Sequence, residues 1–453
     1  MKKVHFIAIG GAAMHNLALA LNEKENYQIT GSDDEIFEPS KSRLQEAGLL
    51  PSEYGWFPEK INKDLDAVIL GMHAREDNPE LLRAKELGIK IYSFPEYLYE
   101  QTKDKTRIVI GGSHGKTTTT AMILFVLNRL GIQADYMVGA QIEGFKNMVR
   151  LSDDAKFAIF EGDEYLTSPL DLRSKFHLYH PHIAQLTGIA WDHINVFPTF
   201  EIYVDQFKKF TDLIEPNGTL TYFVQDQKLC KIAQNLRSDI KTLPYDTPSY
   251  EIQNGHTTIS VENEKFELQI FGEHNLQNMM GALNVCRSIG IETKDFFNAI
   301  KHFSGAANRL QKIAETNNSV GFKDFAHSPS KLKATIKAVK MQYPEKELIA
   351  CMELHTFSSL TKDFLPQYHD SMKLADRAFV FYNPEVIEHK RLQTISKEDV
   401  KNGFGDNVEI FTNSKDLQTE LQKINYQNKV LLMMSSGNFS GINIEQFIKE
   451  QIL

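Results

Sequence analysis

The stretch Ile108-Val109-Ile110-Gly111-Gly112-Ser113-His114-Gly115-Lys116-Thr117-Thr118 decides how the rest of the chain is read. Its first three residues form a short apolar run typical of a buried strand, and a helix is predicted from Lys116 through Leu130. A glycine-rich turn between strand and helix lets backbone N–H groups converge on phosphate oxygens, the helix N-terminus adds its dipole, and a lysine adds a point charge. A full Walker loop has glycine where this chain has Ile110, so the match is to a shortened variant. The bland alternative is a glycine-rich turn with a chance lysine, and the succession of strand, loop, Lys-Thr pair and helix argues against it. On this reading Gly112, Ser113, His114, Gly115 and Thr118 line the phosphates of ATP. Lys116 holds the β- and γ-phosphates, and Thr117 helps to hold Mg²⁺.

A triphosphate site needs carboxylates for its metal, and the next apolar strand, residues 157–160, runs directly into Glu161-Gly162-Asp163-Glu164. A solvated acidic turn is the competing reading. A further strand, residues 183–186, leads towards Trp191-Asp192-His193-Ile194-Asn195, so three successive strand ends offer phosphate or metal ligands. At the start of the chain, residues 4–9 read as a strand entering Gly10-Gly11-Ala12-Ala13-Met14, a dinucleotide fingerprint that is broken at Ala12. A packing turn explains it equally well, but Asp33, after Ser32, lies at about the spacing of a ribose-binding acid and favours a second nucleotide. A third strand, residues 67–70, ends near His73. His177, His180 and His182 lack a common helical face and a nearby cysteine, so a surface or packing role is expected of them rather than metal binding.

The 453 residues suffice for roughly three domains. Hydrophobic residues at 42% and charged residues at 24% are ordinary globular values, so each unit can bury its own core. The 50 Lys and Arg against 59 Asp and Glu leave a net charge of −9 without a basic block, which argues against a nucleic-acid polymer as partner. The cysteines, Cys230, Cys286 and Cys351, are too scattered for a disulfide framework or a zinc motif, so a reducing, cytoplasmic setting is expected. No apolar run approaches the roughly 18 residues of a membrane span. Parallel α/β patterns predict boundaries near residue 104 and near Ser304-Gly305, with shorter strands and turns over residues 219–275.

These residues resemble the Mur ligase family of ATP-dependent amide-bond-forming enzymes. The resemblance is carried by residues 112–118, Glu161-Gly162-Asp163-Glu164, Asp192-His193, residues 272–278 including Asn275 and Asn278, Asn308-Arg309-Leu310, and Asp324-Phe325-Ala326-His327-Ser328-Pro329. It implies an α/β chain of three domains: a Rossmann-like UDP-sugar-binding domain (1–104), a central P-loop ATPase-like domain (105–304) and a C-terminal Rossmann-like acceptor-binding domain (305–453). It also implies ATP and Mg²⁺ as cofactors, with Thr117, Glu161 and His193 as metal ligands and Asn275 and Asn278 at the adenine. Arg309 and Asp324 would reach the ATP, and His327 the reacting groups or the acceptor. Gly10, Gly11, Ala12, Ala13, Met14, Ser32, Asp33 and His73 would meet UDP-N-acetylmuramate. A homodimer is compatible with the family.

Within the family, Glu161 to Tyr165, Asp171-Leu172-Arg173-Ser174-Lys175-Phe176 with Tyr179 and Pro181 beyond, and residues 431–442 resemble the peptidoglycan-recycling branch. That branch joins UDP-N-acetylmuramate to L-alanyl-γ-D-glutamyl-meso-diaminopimelate, and the alternative acceptor is the L-alanine of de novo synthesis. The chain departs from the family at Gly162, which is usually alanine, at Asn308, usually arginine, and at Ser328, usually histidine. The segment Glu353-Leu354-His355-Thr356-Phe357-Ser358-Ser359 carries none of the arginines found there in the alanine-adding enzymes, and it also lacks the Pro-Arg-Ser pattern of the recycling branch. Loss of Lys116 or Glu161 would favour a nucleotide-gated binding protein without ligation, and both are present. A simple ATPase or phosphotransferase leaves residues 272–278 and 324–329 unexplained.

Overall fold

A computed structural model describes the chain except His73, Glu143, Pro169, residues 192–195, Asn254 and Asp406. It divides into two compact units, Met1–Asp246 with Gly281–Phe296, and Thr247–Met280 with Phe297–Leu453.

The first unit begins with a parallel sheet of β1 (Lys2–Ile7), β2 (Tyr27–Ser32), β3 (Ala67–Leu70) and β4 (Ile91–Ser93), in the order β2-β1-β3-β4. The chain then builds β5 (Thr106–Gly111), β6 (Ala134–Met137), β7 (Val149–Arg150) and β8 (Phe157–Glu161), the hairpin of β9 (Leu166–Ser168) and β10 (Asp171–Ser174), and β11 (Ile183–Leu186), β12 (Thr219–Phe223) and β13 (Lys241–Tyr245). Seven of these form one sheet, β13-β12-β11-β5-β8-β6-β7, parallel except for β7. Its central strands are largely buried on both faces and mostly apolar, with Gln185 as a buried polar residue in β11. One apolar core runs through this unit, from Val4, Phe6 and Leu17 to Phe160, Phe176 and Phe210.

Arg107 ties the entry to the second sheet. Its guanidinium is 2% exposed and donates to the carbonyls of Tyr179, His180, Thr102, Lys103 and Lys105 and to Glu215. It thereby satisfies carbonyls that follow the helix Phe94–Thr102, which would otherwise be orphaned at that helix end.

The second unit holds an antiparallel sheet of β14 (Tyr250–Gln253), β15 (His256–Val261) and β16 (Glu264–Leu268). It also holds a six-stranded sheet of β17 (Gln311–Glu315), β18 (Val320–Asp324), β19 (Glu347–Leu354), β20 (Arg377–Tyr382), β21 (Val408–Phe411) and β22 (Lys429–Met434). The order is β17-β18-β22-β19-β20-β21, parallel except for β17.

Most predicted strands lie within two residues of their observed bounds. The first is shifted: it starts at Lys2 and stops at Ile7, because Ala8 turns into the left-handed region at φ +67°. The stretch read as strands and turns contains a helix, Gln227–Gln234, capped by Asp226. It buries only Leu229 and Ile232, too few residues to impose a helical period on the sequence. Among the described residues no helix is long and apolar enough to cross a membrane.

Candidate nucleotide site

Strands β11, β5 and β8 are neighbours, and their register sets Leu186 opposite Gly111 and Glu161 opposite Ile110. Three strand ends thus deliver their loops side by side, where open α/β sheets bind ligands. Gly112 has φ +129°, and a Cβ built there would lie 2.0 Å from Thr187 Oγ1, so no other residue fits. Ser113 N donates to Gly188 O (2.9 Å), and Thr187 Oγ1 reaches the carbonyls of Gly111 and His114, lacing the loop to the end of β11. Gly115, at φ +78°, starts the helix Lys116–Arg129.

Lys116 Nζ donates to Gly112 O (2.7 Å) and to Glu164 Oε2 (2.6 Å). Burial alone lowers the pKa of this ammonium, but Glu164, Asp163 and Glu161 outweigh it and hold the pKa above the usual lysine value. Asp163 pairs with Lys175 (2.6 Å). Burial pushes the Asp163 carboxyl up, and Lys175 with Lys116 overrides this, bringing it down to about 2. Both groups are therefore charged at neutral pH. Glu164 thus holds the lysine of the loop, while Asp163 holds Lys175.

Thr117 Oγ1 donates to Glu161 Oε1 (2.8 Å), and Glu161 Oε2 accepts from Gly139 N (2.6 Å). A hydroxyl and a carboxylate held together at the foot of the loop are hard oxygen donors suited to Mg²⁺. Among the described residues no cluster of three or more His, Cys, Asp or Glu forms a metal site. His193 and Asp192 lie outside the described residues. Asp226, unremarked in the sequence, accepts from Ile189 N (2.6 Å) and so anchors the segment leading to them. Gly162 also has a reason for departing from alanine: a Cβ there would lie 2.9 Å from Val109 Cγ1 and 3.2 Å from Phe176 Cβ.

Of the three histidines, His177 is buried while His180 and His182 are half-buried. His177 is buried and bonds the Gln206 carbonyl through Nε2 (2.8 Å), and His182 Nδ1 accepts from Arg107 N (3.1 Å). Desolvation lowers the pKa of His177, His180 and His182 alike.

At the N-terminal turn, Gly10 N donates to Asp33 Oδ2 (2.7 Å). Burial raises the Asp33 pKa despite that hydrogen bond. Ser32 is buried, and its carbonyl accepts from Ala8 N and Ile9 N. Gly11 is the N-cap of the helix Ala12–Asn22, on which Ala12 and Ala13 are exposed and Met14 is buried. His15, absent from the expected set, lies 3.0 Å from Gly11 O and 3.2 Å from Arg43. Arg43 in turn donates to Asn16 Oδ1 (3.1 Å) and Asn147 Oδ1 (2.7 Å). His73 lies outside the described residues.

In the second unit, Asn275 and Asn278 are both 7% exposed and one turn apart on the helix Glu273–Ser288; Asn275 Nδ2 donates to Phe271 O (3.0 Å). Asp324 ends β18 and accepts from Phe325 N (2.7 Å) and Thr335 Oγ1 (2.6 Å). The Arg309 guanidinium sits 4.4 Å over the Phe325 ring, and His327 Nδ1 lies 2.9 Å from Phe325 O. Arg309, Asp324 and His327 are thus gathered around Phe325. Asn308 adopts φ +58°, a conformation asparagine tolerates better than arginine. Glu353, at the end of β19, is 2% exposed and accepts from Ser435 Oγ and from Phe439 N (2.8 Å).

Residues 110–286 match the Mur ligase middle domain, and residues 3–106 match the model described as Mur ligase family, catalytic domain. The chain is 31% identical over 414 residues to UDP-N-acetylmuramate–L-alanine ligase of Caldicellulosiruptor saccharolyticus, covering 88% of each chain. It is 29% identical over 447 residues to the enzyme of the same name from Lactiplantibacillus plantarum, covering 96% of this chain and 95% of that one. Among solved structures, UDP-N-acetylmuramate-alanine ligase of Thermotoga maritima superposes with TM-score 0.73 at 20% identity, covering 99% of both chains. A murein peptide ligase of Psychrobacter arcticus gives 0.66 at 22% identity, covering 100% of this chain and 98% of that one. With its phosphate loop, its parallel sheets and these relatives, the chain belongs to the Mur ligase family of ATP-dependent amide-bond-forming enzymes and has its three-domain α/β fold.

Proposed function

We propose that the chain joins the carboxylate of UDP-N-acetylmuramate to L-alanine, with ATP converted to ADP and phosphate. The observation that carries this acceptor is the similarity, over 88% of both chains, to a relative named for L-alanine. It reverses the order expected from sequence, which put the tripeptide first. The regions 1–104, 105–304 and 305–453 then serve UDP-sugar, ATP and acceptor respectively.

A carboxylate is a poor acyl donor at neutral pH, so it must first attack the γ-phosphate and become an acyl phosphate, which the acceptor amine opens. Catalysis is then mostly positioning and charge stabilisation. Lys116 is charged and aimed along the loop, ready to exchange Glu164 for phosphate oxygens. The loop amides and the N-terminus of the helix Lys116–Arg129 face the same anion. Thr117 and Glu161 would hold Mg²⁺, with His193 as a further ligand; the ion supplies charge neutralisation at the phosphates. Asn275 and Asn278 are assigned to the adenine, and Arg309, Asp324 and His327 to the reacting end of the nucleotide and the acceptor. The Gly10–Gly11 turn, fixed by Asp33, is assigned to the UDP-sugar.

A second reading keeps the tripeptide. Its support is the resemblance of Glu161 to Tyr165, Asp171-Leu172-Arg173-Ser174-Lys175-Phe176 and residues 431–442 to the recycling branch; the lack of arginine in residues 353–359 favours neither acceptor, since both carry carboxylates. The discriminating assay is phosphate release with UDP-N-acetylmuramate and ATP, offering L-alanine or tripeptide in turn. Faster turnover with L-alanine supports the first reading, and turnover with tripeptide alone replaces it by the second.

A further inference from the structure

The phosphate loop and the acidic strand end beside it are joined by one side chain that belongs to neither. Tyr203, on the helix Phe200–Asp212, is fully buried, with its hydroxyl 2.8 Å from Ser113 Oγ and 2.9 Å from Glu164 Oε1. Ser113 Oγ also accepts from Ala190 N (2.9 Å). The direction of this chain is fixed by chemistry. A carboxylate paired with Lys116 can only accept, so the Tyr203 proton points to Glu164, and the Ser113 hydroxyl donates to Tyr203. The order is Ala190 N–H, Ser113, Tyr203, Glu164, Lys116. Two segments far apart in sequence, the loop and the acidic strand end, are thus held at one fixed separation.

We infer that Tyr203 is a positioning residue for ATP binding: it holds Ser113 in the loop and draws charge from Glu164, so that Lys116 can be released to the incoming phosphate. The inference rests on assigning residues 112–118 to the ATP phosphates. Without the hydroxyl, Glu164 loses a donor and concentrates its charge on Lys116. The carboxylate then competes harder with phosphate for the same ammonium.

The test is Tyr203→Phe, which keeps the ring packed on Phe197 (5.4 Å between centroids) and Phe207 (5.2 Å). Losing a hydrogen bond to a charged group should raise the Kd and KM for ATP roughly ten- to a hundredfold. The kcat at saturating ATP should stay within about threefold, because the lost term is paid before phosphate is bound. Binding is read with a fluorescent ATP analogue without acceptor, so the identity of the acceptor does not enter. In a Glu164→Gln background, Tyr203→Phe should change ATP affinity by less than about twofold, since the two act as one unit. An unchanged Kd in the single variant, or the same loss in both backgrounds, overturns the inference. If Tyr203→Phe does not fold, Ser113→Ala cuts the chain at its other hydroxyl and must also weaken ATP binding; no effect there overturns it equally. ATP binding indifferent to Lys116→Met refutes the phosphate-site assignment itself, and the role of Tyr203 with it.

Discussion

Lys116→Met separates two roles of one cation. The ammonium lies 2.6 Å from Glu164 Oε2 and 2.7 Å from Gly112 O, and Glu164 is 1% exposed. Methionine preserves the aliphatic stem but leaves a buried carboxylate without its counter-charge. Breaking one half of such a pair costs about 3–5 kcal/mol. The low end, about 3 kcal/mol, is expected, because Tyr203 still donates to the other carboxylate oxygen. Adding Glu164→Gln removes the stranded charge and should return most of that stability. Activity should not return, since the phosphates still lack their cation; a loss of about 10²–10³-fold or more is expected in both variants. Stability is read from the midpoint of urea unfolding followed by circular dichroism, because a multidomain chain need not unfold in two states. Turnover is read as ATP-dependent phosphate release. Wild-type turnover in Lys116→Met, or turnover regained in the double variant, refutes this division.

Three further outcomes follow from the geometry. Gly112→Ala should abolish ATP binding measured by calorimetry, because its Cβ would meet Thr187 Oγ1 at 2.0 Å in a left-handed conformation. Arg107→Leu should lower the unfolding midpoint of the first unit by the equivalent of about 3–5 kcal/mol, since it strands buried carbonyls together with Glu215; a change under about 1 kcal/mol contradicts this. For pH, desolvation lowers the pKa of His15, His177, His180 and His182 in the folded state. Such groups contribute stability that is full above their unfolded value of about 6.5 and is lost as pH falls from there through the folded pKa. The thermal midpoint should therefore fall as the pH is taken below about 6.5, and a profile that stays flat there contradicts the neutral packing of these histidines.

Legibility in the sequence followed the physics of each signal. Strands buried on both faces, such as residues 108–110 and 157–160, announce themselves as apolar runs. The phosphate loop did so too, because its glycines and its lysine must be local to work. What depends on tertiary approach was not legible. Tyr203 reads as one more aromatic on an amphipathic helix, and only folding brings it to Ser113 and Glu164. The division of labour between Asp163 and Glu164 depends on Lys175 and Lys116, which the sequence does not pair. Asp226 carried a usable signal, since an aspartate before a short helical stretch is a common N-cap, and it would have exposed the missed helix Gln227–Gln234. Asn308 and Gly162 looked like departures from the family and became intelligible only through a positive φ and a crowded Cβ.

The central claim is that the γ-phosphate of ATP activates the carboxylate of UDP-N-acetylmuramate. The direct measurement uses that substrate labelled with oxygen-18 in both carboxylate oxygens, together with ATP, Mg²⁺ and L-alanine, and reads the mass of the phosphate released. An acyl-phosphate route transfers a single labelled oxygen to each phosphate. Unlabelled phosphate accompanying amide formation would contradict it.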